Sequence, residues 1–212
     1  MLAMKTRPVA PTLEQQLKKK EEAIKWAKTR LADPNTLIVD VETTGLLTRD
    51  PETEIVSLAM VDIHGRPALA ALVNPNRPIP KEAQSIHGIE DRDVLNSPPF
   101  PVIGDLAGMI MAGKHIVCYN AGFDVHLIVH LMGKYGLPIP EFEVSCAMEM
   151  YAQFVGDWSA AKGSYKWQKL PKLAFGSAHD SLVDCQSTLQ LMKKMTGDFS
   201  DEPPTTDIDL DF

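Results

Sequence analysis

The sequence predicts an α/β fold in which helices flank a mixed five-stranded sheet, and three of the strands form an antiparallel meander. Three observations carry that prediction. Leu37-Ile38-Val39-Asp40-Val41 is a short apolar run rich in β-branching, the pattern of a buried strand. Two more runs of strand length, 54–63 and 68–73, follow across tight polar links, which suits antiparallel neighbours. The next apolar run, 114–119, comes only after a helical stretch, and a strand reached through a helical crossover normally lies parallel to its neighbour.

The remaining elements follow in order. Residues 1–11, with Pro8 and Pro11, read as a loose arm. Thr12 and Gln15 form a capping box before a helix over 13–32, whose Leu13, Leu17, Ile24, Ala27 and Leu31 make an apolar stripe. Its lysines are mixed with glutamates, the pattern of a solvated face. Asp33-Pro34-Asn35 ends this helix and turns into the first strand. His64-Gly65-Arg66-Pro67 turns the second strand into the third. Ser85-Ile86-His87-Gly88-Ile89 has the form of a helix C-terminus with a left-handed glycine cap.

Helices are expected over 102–112, after Pro98 and Pro101, and over 122–135, with Asp124 in the first turn of the latter. His126 and His130 stand four apart there, but no third ligand accompanies them, so they read as surface or partly buried side chains. Residues 138–143 read as a loop or short edge strand, and 144–154 as a helix. From 158 to 178 there are four lysines and no acids, with Trp158, Tyr165, Trp167 and Phe175. Such a segment can follow a phosphate backbone and stack on bases; equally, its aromatics can anchor an irregular loop on the core. The last helix is expected over 178–195, opened by Ser177-Ala178-His179-Asp180, with Leu182, Cys185, Leu189 and Met192 on its buried side.

A chain of 212 residues with 44% hydrophobic content buries one core and leaves little for a second. No apolar run reaches the length of a membrane span, and the N-terminus lacks the apolar centre of a signal peptide. Cys118, Cys146 and Cys185 have no zinc or redox spacing and read as small buried thiols of a cytoplasmic protein. The net charge of −7 argues at first against nucleic acid. Yet Asp198, Asp201, Glu202, Asp207, Asp209 and Asp211 crowd the tail, so the body is near neutral and a local basic groove remains open. The organisation expected is an arm and amphipathic helix (1–35), one domain (36–196) and an acidic, disordered tail (197–212).

The chemistry starts from Asp40 and Glu42. In a strand, side chains two apart point the same way, so these carboxylates lie side by side. Paired like charges in a sheet resist ionisation unless a hard cation bridges them or both sit at an exposed strand end. Further acids follow. Tyr119-Asn120-Ala121-Gly122-Phe123-Asp124 closes the fourth strand, and His179 is followed five residues later by Asp184. Asp-x-Glu-Thr-Thr-Gly, then Asn-Ala-x-Phe-Asp, then His-x4-Asp, in that order over about 36–196, resembles the DEDDh 3′–5′ exonucleases of the RNase H-like fold.

That resemblance implies a metal-dependent enzyme that hydrolyses single-stranded nucleic acid, DNA favoured, from the 3′ end to 5′-mononucleotides, in replication, proofreading or repair. It implies two ions, Mg²⁺ or Mn²⁺, about 3.5–4 Å apart. Asp40 would bridge both, Glu42 and Asp184 would complete the site of the attacking water, and Asp124 would hold the other ion. His179 would be the general base, kept neutral by the positive end of its helix. Thr43, Thr44, Gly45, His87, Asn120 and Phe123 would lie beside the terminal nucleotide.

Two residues depart from the pattern: Tyr119 stands where a His often precedes Asn-Ala-x-Phe-Asp, and Asp180 adds an acid beside His179 that would raise its pKa if close. The tail ends Asp207-Ile208-Asp209-Leu210-Asp211-Phe212, similar to sliding-clamp-binding peptides and to the acidic tip of single-stranded DNA-binding protein; a solubilising tail is the other reading. An RNA-directed relative of the same fold and a catalytically silent binding module for replication or repair are the alternative functions. The intact set of four acids and one histidine argues against the silent module.

Overall fold

In the computed structural model, which describes residues 9–171 and 180–197, strand β1 (Thr36–Thr43) runs through the middle of a five-stranded sheet. Strands β2 (Ile55–Asp62) and β3 (Pro67–Leu72) extend the sheet antiparallel on one side. Strands β4 (His115–Cys118) and β5 (Glu143–Cys146) extend it in parallel on the other. The expected meander and mixed sheet are both present. The fifth strand differs from expectation: it spans Glu143–Cys146 instead of 138–143, and helix α6 (Ala147–Val155) therefore starts at Ala147 and not at 144. A four-residue parallel strand draws its register from its neighbour, here His115 opposite Glu143, and leaves little periodicity to read.

Alternation along β1 divides its side chains between two cores. Leu37, Val39 and Val41 join one core with Phe100, Ile103, Ala107 and Met111 of helix α4 (Phe100–Met111) and with Leu127, Ile128 and Leu131 of helix α5 (Ala121–Lys134). Ile38 faces the other way, against Cys185, Leu189 and Met192 of helix α7 (Ser181–Thr196). Asp40 and Glu42 share the parity of Ile38, so the hydrophobic pattern that fixes β1 also turns both acids toward α7.

Helix α1 (Leu13–Ala32) carries the expected capping box, with Gln15 N donating to Thr12 Oγ1 and Thr12 N donating to Gln15 Oε1. Its stripe is shorter than the sequence suggests. Leu13 and Leu17 are 72% and 53% exposed, and burial falls on Ala23 and Ala27, which pack with Leu191 and Met195. Small side chains there let α1 approach α7 closely. Helices α2 (Lys81–His87) and α3 (Asp91–Val94) close the rim beside β2, with Gly88 as the expected left-handed cap at φ 76°. The segment expected as a loop from 158 contains a short hairpin, β6 (Trp158–Ser159) and β7 (Ser164–Tyr165), held by an edge-on contact of the Trp158 and Tyr165 rings.

Close packing makes a glycine informative. A Cβ on Gly104 would stand 2.7 Å from Phe100 Cε1 and 2.9 Å from Leu137 Cδ1, both in or against the core. One on Gly133 would meet nothing within 4 Å. Gly104→Ala is expected to destabilise by about 1–3 kcal/mol through overpacking. Gly133→Ala is expected to stabilise by roughly 0.5–1 kcal/mol through helix propensity. Urea unfolding midpoints measure both, and equal shifts of the same sign would contradict the difference in space.

Candidate active site

Four acids reach the end of the sheet where β1 and β4 both terminate. Asp40 and Glu42 come from β1, and Asp184 lies in the first turn of α7. One carboxylate oxygen from each of these three lies within 4.8 Å of the others. Asp124 lies in the first turn of α5, 4% exposed, and its Oδ1 accepts from Val41 N at 3.2 Å, the backbone group between the two β1 acids. The Asp-x-Glu spacing thus places two carboxylates on one strand face and offers the intervening N–H to the third.

Two contacts that sequence reading missed set the position of Asp184. Ser57, the strand partner of Glu42, shares a 2.6 Å hydroxyl hydrogen bond with Ser181, the first residue of α7. The Cys185 thiol donates toward the carbonyls of Ile38 and Ala59 at 3.5 and 3.4 Å. Both pin α7 to β1 and β2 on either side of Asp184. A lone Ser inside the apolar run Ile55-Val56-Ser57-Leu58-Ala59-Met60 is the signal that could have flagged the first.

Electrostatically the cluster cannot carry full charge by itself. Burial, then repulsion by Asp184, Asp124 and Asp180, pushes Glu42 up from 4.5 to about 8. Burial raises Asp124 from 3.8 to about 7 against the hydrogen bond from Val41, and burial with Asp124, Glu42 and Asp184 raises Asp40 well above the carboxylate range. Among the described residues no lysine or arginine forms an ion pair with Asp40, Glu42 or Asp124. An all-oxygen, multiply anionic donor set suits a hard divalent cation, which would relieve the repulsion. Asp40, Glu42 and Asp184 form a carboxylate cluster that could hold a metal ion, with Asp124 beside it.

The neighbouring side chains form the walls. Thr43 Oγ1 donates to Gly45 O at 2.7 Å, and Thr44 is locked to Glu54 by N to O at 2.9 Å and by Glu54 N to Thr44 Oγ1 at 3.0 Å. Glu54, 3% exposed, is matched by Lys134 Nζ at 2.7 Å and the Tyr135 hydroxyl at 2.9 Å, an ion pair that the sequence did not suggest. His87, Gly88 and Ile89 line a cleft of about 420 Å³ together with Ser57, Leu72, Asp93 and Asp180. Ile89 N donates to His87 Nδ1 at 3.0 Å, so His87 both ends α2 and faces the cleft. Asn120 is the N-cap of α5 and is exposed, while Phe123 packs against the core below.

One expectation is corrected. Helix α7 starts at Ser181 and not at 178, because Asp180 Oδ1 accepts from Leu182 N at 3.0 Å and Val183 N at 3.3 Å and so caps the helix. His179 itself lies outside the described residues.

Comparison with known proteins agrees with this geometry. The model of the RNase T exonuclease family matches residues 37–192. The uncharacterized exonuclease CP81 of Escherichia phage 186 is 35% identical over 185 residues, covering 81% of this chain and 91% of that protein. The zinc-bound E. coli ExoI–ssDNA complex shares the fold with a TM-score of 0.60 at 14% identity, over 76% of this chain and 41% of that one. The nuclease domain of 3′hExo, a DEDDh family member bound to rAMP, gives 0.53 at 16% identity, over 79% and 94%. Four acids at one sheet end, a family match over 37–192 and a relative covered to 91% of its length converge: this chain belongs to the RNase T exonuclease family.

Proposed function

We propose that the enzyme removes 5′-mononucleotides from the 3′ end of single-stranded nucleic acid, with DNA as the favoured substrate. The observation that carries this reading is the approach of Asp40, Glu42 and Asp184 within 4.8 Å beside Asp124. Asp40, Glu42, Asp124 and Asp184 would hold two Mg²⁺ or Mn²⁺ ions, which when bound supply an activated water and neutralise the leaving oxygen. The His179 imidazole accepts the proton of the attacking water. Thr43, Thr44 and Gly45 form the floor under the terminal nucleotide, with His87, Asn120 and Phe123 around it. The pairing of buried Glu54 with Lys134 keeps the Thr44 backbone fixed, so that floor is rigid before substrate arrives.

In this reading residues 36–196 are the catalytic domain, 1–35 an accessory arm and helix, and 197–212 a tail. The tail lies outside the described residues; its 207–212 end is proposed to dock a sliding clamp or another replication or repair protein. A cytoplasmic location suits the three free thiols. Among the described residues no helix is long and apolar enough to cross a membrane.

The test is a set of 5′-labelled single-stranded DNA and RNA oligonucleotides with Mg²⁺ or Mn²⁺. The expected result is a ladder that shortens from the 3′ end, disappears with EDTA and runs faster on DNA. A faster ladder on RNA would move the assignment to the RNA-directed branch, and no ladder with either metal would reduce the chain to a binding module.

A further inference from the structure

We infer that the Trp158–Pro171 segment and the adjoining part of α1 form a second binding surface, outside the catalytic cleft, for the upstream part of the single strand. This inference rests on the nuclease reading and extends it. Burial alternates along the segment past Tyr165. Gln168 and Leu170 are half-buried, the Gln168 backbone carbonyl accepting from the Tyr119 hydroxyl at 2.7 Å and Leu170 packing with Ala23, Ala27 and Met195. Trp167 and Lys169 are exposed, and Trp167 is 67% exposed, far more than an indole needs for anchoring a loop.

Tyr119 follows the last residue of β4, one residue before the N-cap of α5, so its hydroxyl ties the segment to the sheet end that presents the acids. That gives a function to the tyrosine that stands where relatives often carry a histidine. Helix α1 meets the segment where Leu170 packs with Ala23, Trp26 and Ala27. Together α1 and the segment carry nine cations against three acids, in a chain whose net charge is −7. Lys18, Lys162 and Lys169 are exposed and form no ion pair among the described residues. An outward indole flanked by unpaired lysines matches a flexible polyanion with stackable bases. Helix α1 lies wholly before the part of the chain that the family model covers, so its share of the surface is added to the shared domain, while residues 158–171 lie within that domain.

The test compares 5′-fluorescein oligothymidylates of three and twenty nucleotides on the full-length protein. Trp167→Ala combined with Lys162→Glu and Lys169→Glu is expected to lower the preference for the longer strand, measured as the ratio of the two kcat/KM values, about tenfold. The slope of log affinity against log salt for the longer strand should shrink by about 0.7 per lysine removed. A ratio and slope equal to wild type overturn the proposal, as does an equal loss on both lengths, which would point to a structural role. Fluorescence anisotropy in EDTA separates this inference from the catalytic one. If the wild type cleaves neither strand, the hydrolytic reading fails. In that case, loss of the twenty-nucleotide binding preference in the variant still supports the surface, and retention sinks it.

Discussion

Asp40→Asn is expected to remove 3′–5′ hydrolysis while leaving the fold more stable than wild type in the absence of metal. The loss of kcat/KM should exceed the 10–100-fold that follows loss of an outer partner of a metal ligand, because in the proposed site Asp40 would itself hold the ions. The gain in stability comes from the same atoms. Asp40 is buried and repelled by Asp124, Glu42 and Asp184, so its ionised form opposes folding at neutral pH. An amide of nearly the same shape removes that charge and one source of repulsion on Glu42 and Asp124. Cleavage of a 5′-labelled oligonucleotide and the metal-free Tm measure the two effects. An active variant, or one with lowered Tm, would show that Asp40 is not held in a strained anionic cluster.

The metal-free protein is expected to lose stability as pH rises from 5 to 9, and divalent cation should restore it most at the alkaline end. In the folded chain, burial and repulsion by neighbouring acids push Glu42 up to about 8, and burial pushes Asp124 up to about 7, against ordinary values of 4.5 and 3.8. The folded state therefore holds more protons than the unfolded state between those limits. Stability falls wherever the folded state binds more protons, so the contribution is full below about pH 4 and is lost as pH passes through the folded values. For Glu42 alone the shift amounts to about 5 kcal/mol by the usual conversion. Cation that binds only the folded carboxylates adds stability with concentration, and it competes with protons, so its effect grows with pH. Thermal scans in EDTA and in millimolar Mg²⁺ across that range provide the measurement. A flat metal-free profile with no cation effect would mean that the carboxylates are solvated and apart.

Most of this site was readable because its rules are local. The spacing of Asp40 and Glu42 fixes a common strand face, and the apolar residues between and before them fix which face. Asp124 was readable as a first-turn acid of the helix after a strand, whereas Asp184 was read further along a helix from 178 and enters the first turn because the helix starts at Ser181. What escaped was set by distant partners. Ser57 and Ser181 are 124 positions apart, and neither alone looks unusual. Glu54 looked like an ordinary strand-edge acid until Lys134, 80 positions later, was found against it. Leu13 and Leu17 misled because helical periodicity reports a face that could be buried, and only the α7 residues Leu191 and Met195 decide how much of α1 is covered. Position 180 was read as part of a helix because Ser177 offered an earlier cap; the shorter Asp180 side chain bond to Leu182 and Val183 decided the boundary.

Two of the acids ride on the middle strand of the sheet, which has two strands on either side, and the other two on helices packed against it. New modules can therefore be grafted onto either outer strand, or at the chain ends, while the reaction centre keeps its dimensions. A fold arranged this way is portable, which accords with its occurrence as only 41% of the ExoI chain and as almost the whole of the phage protein.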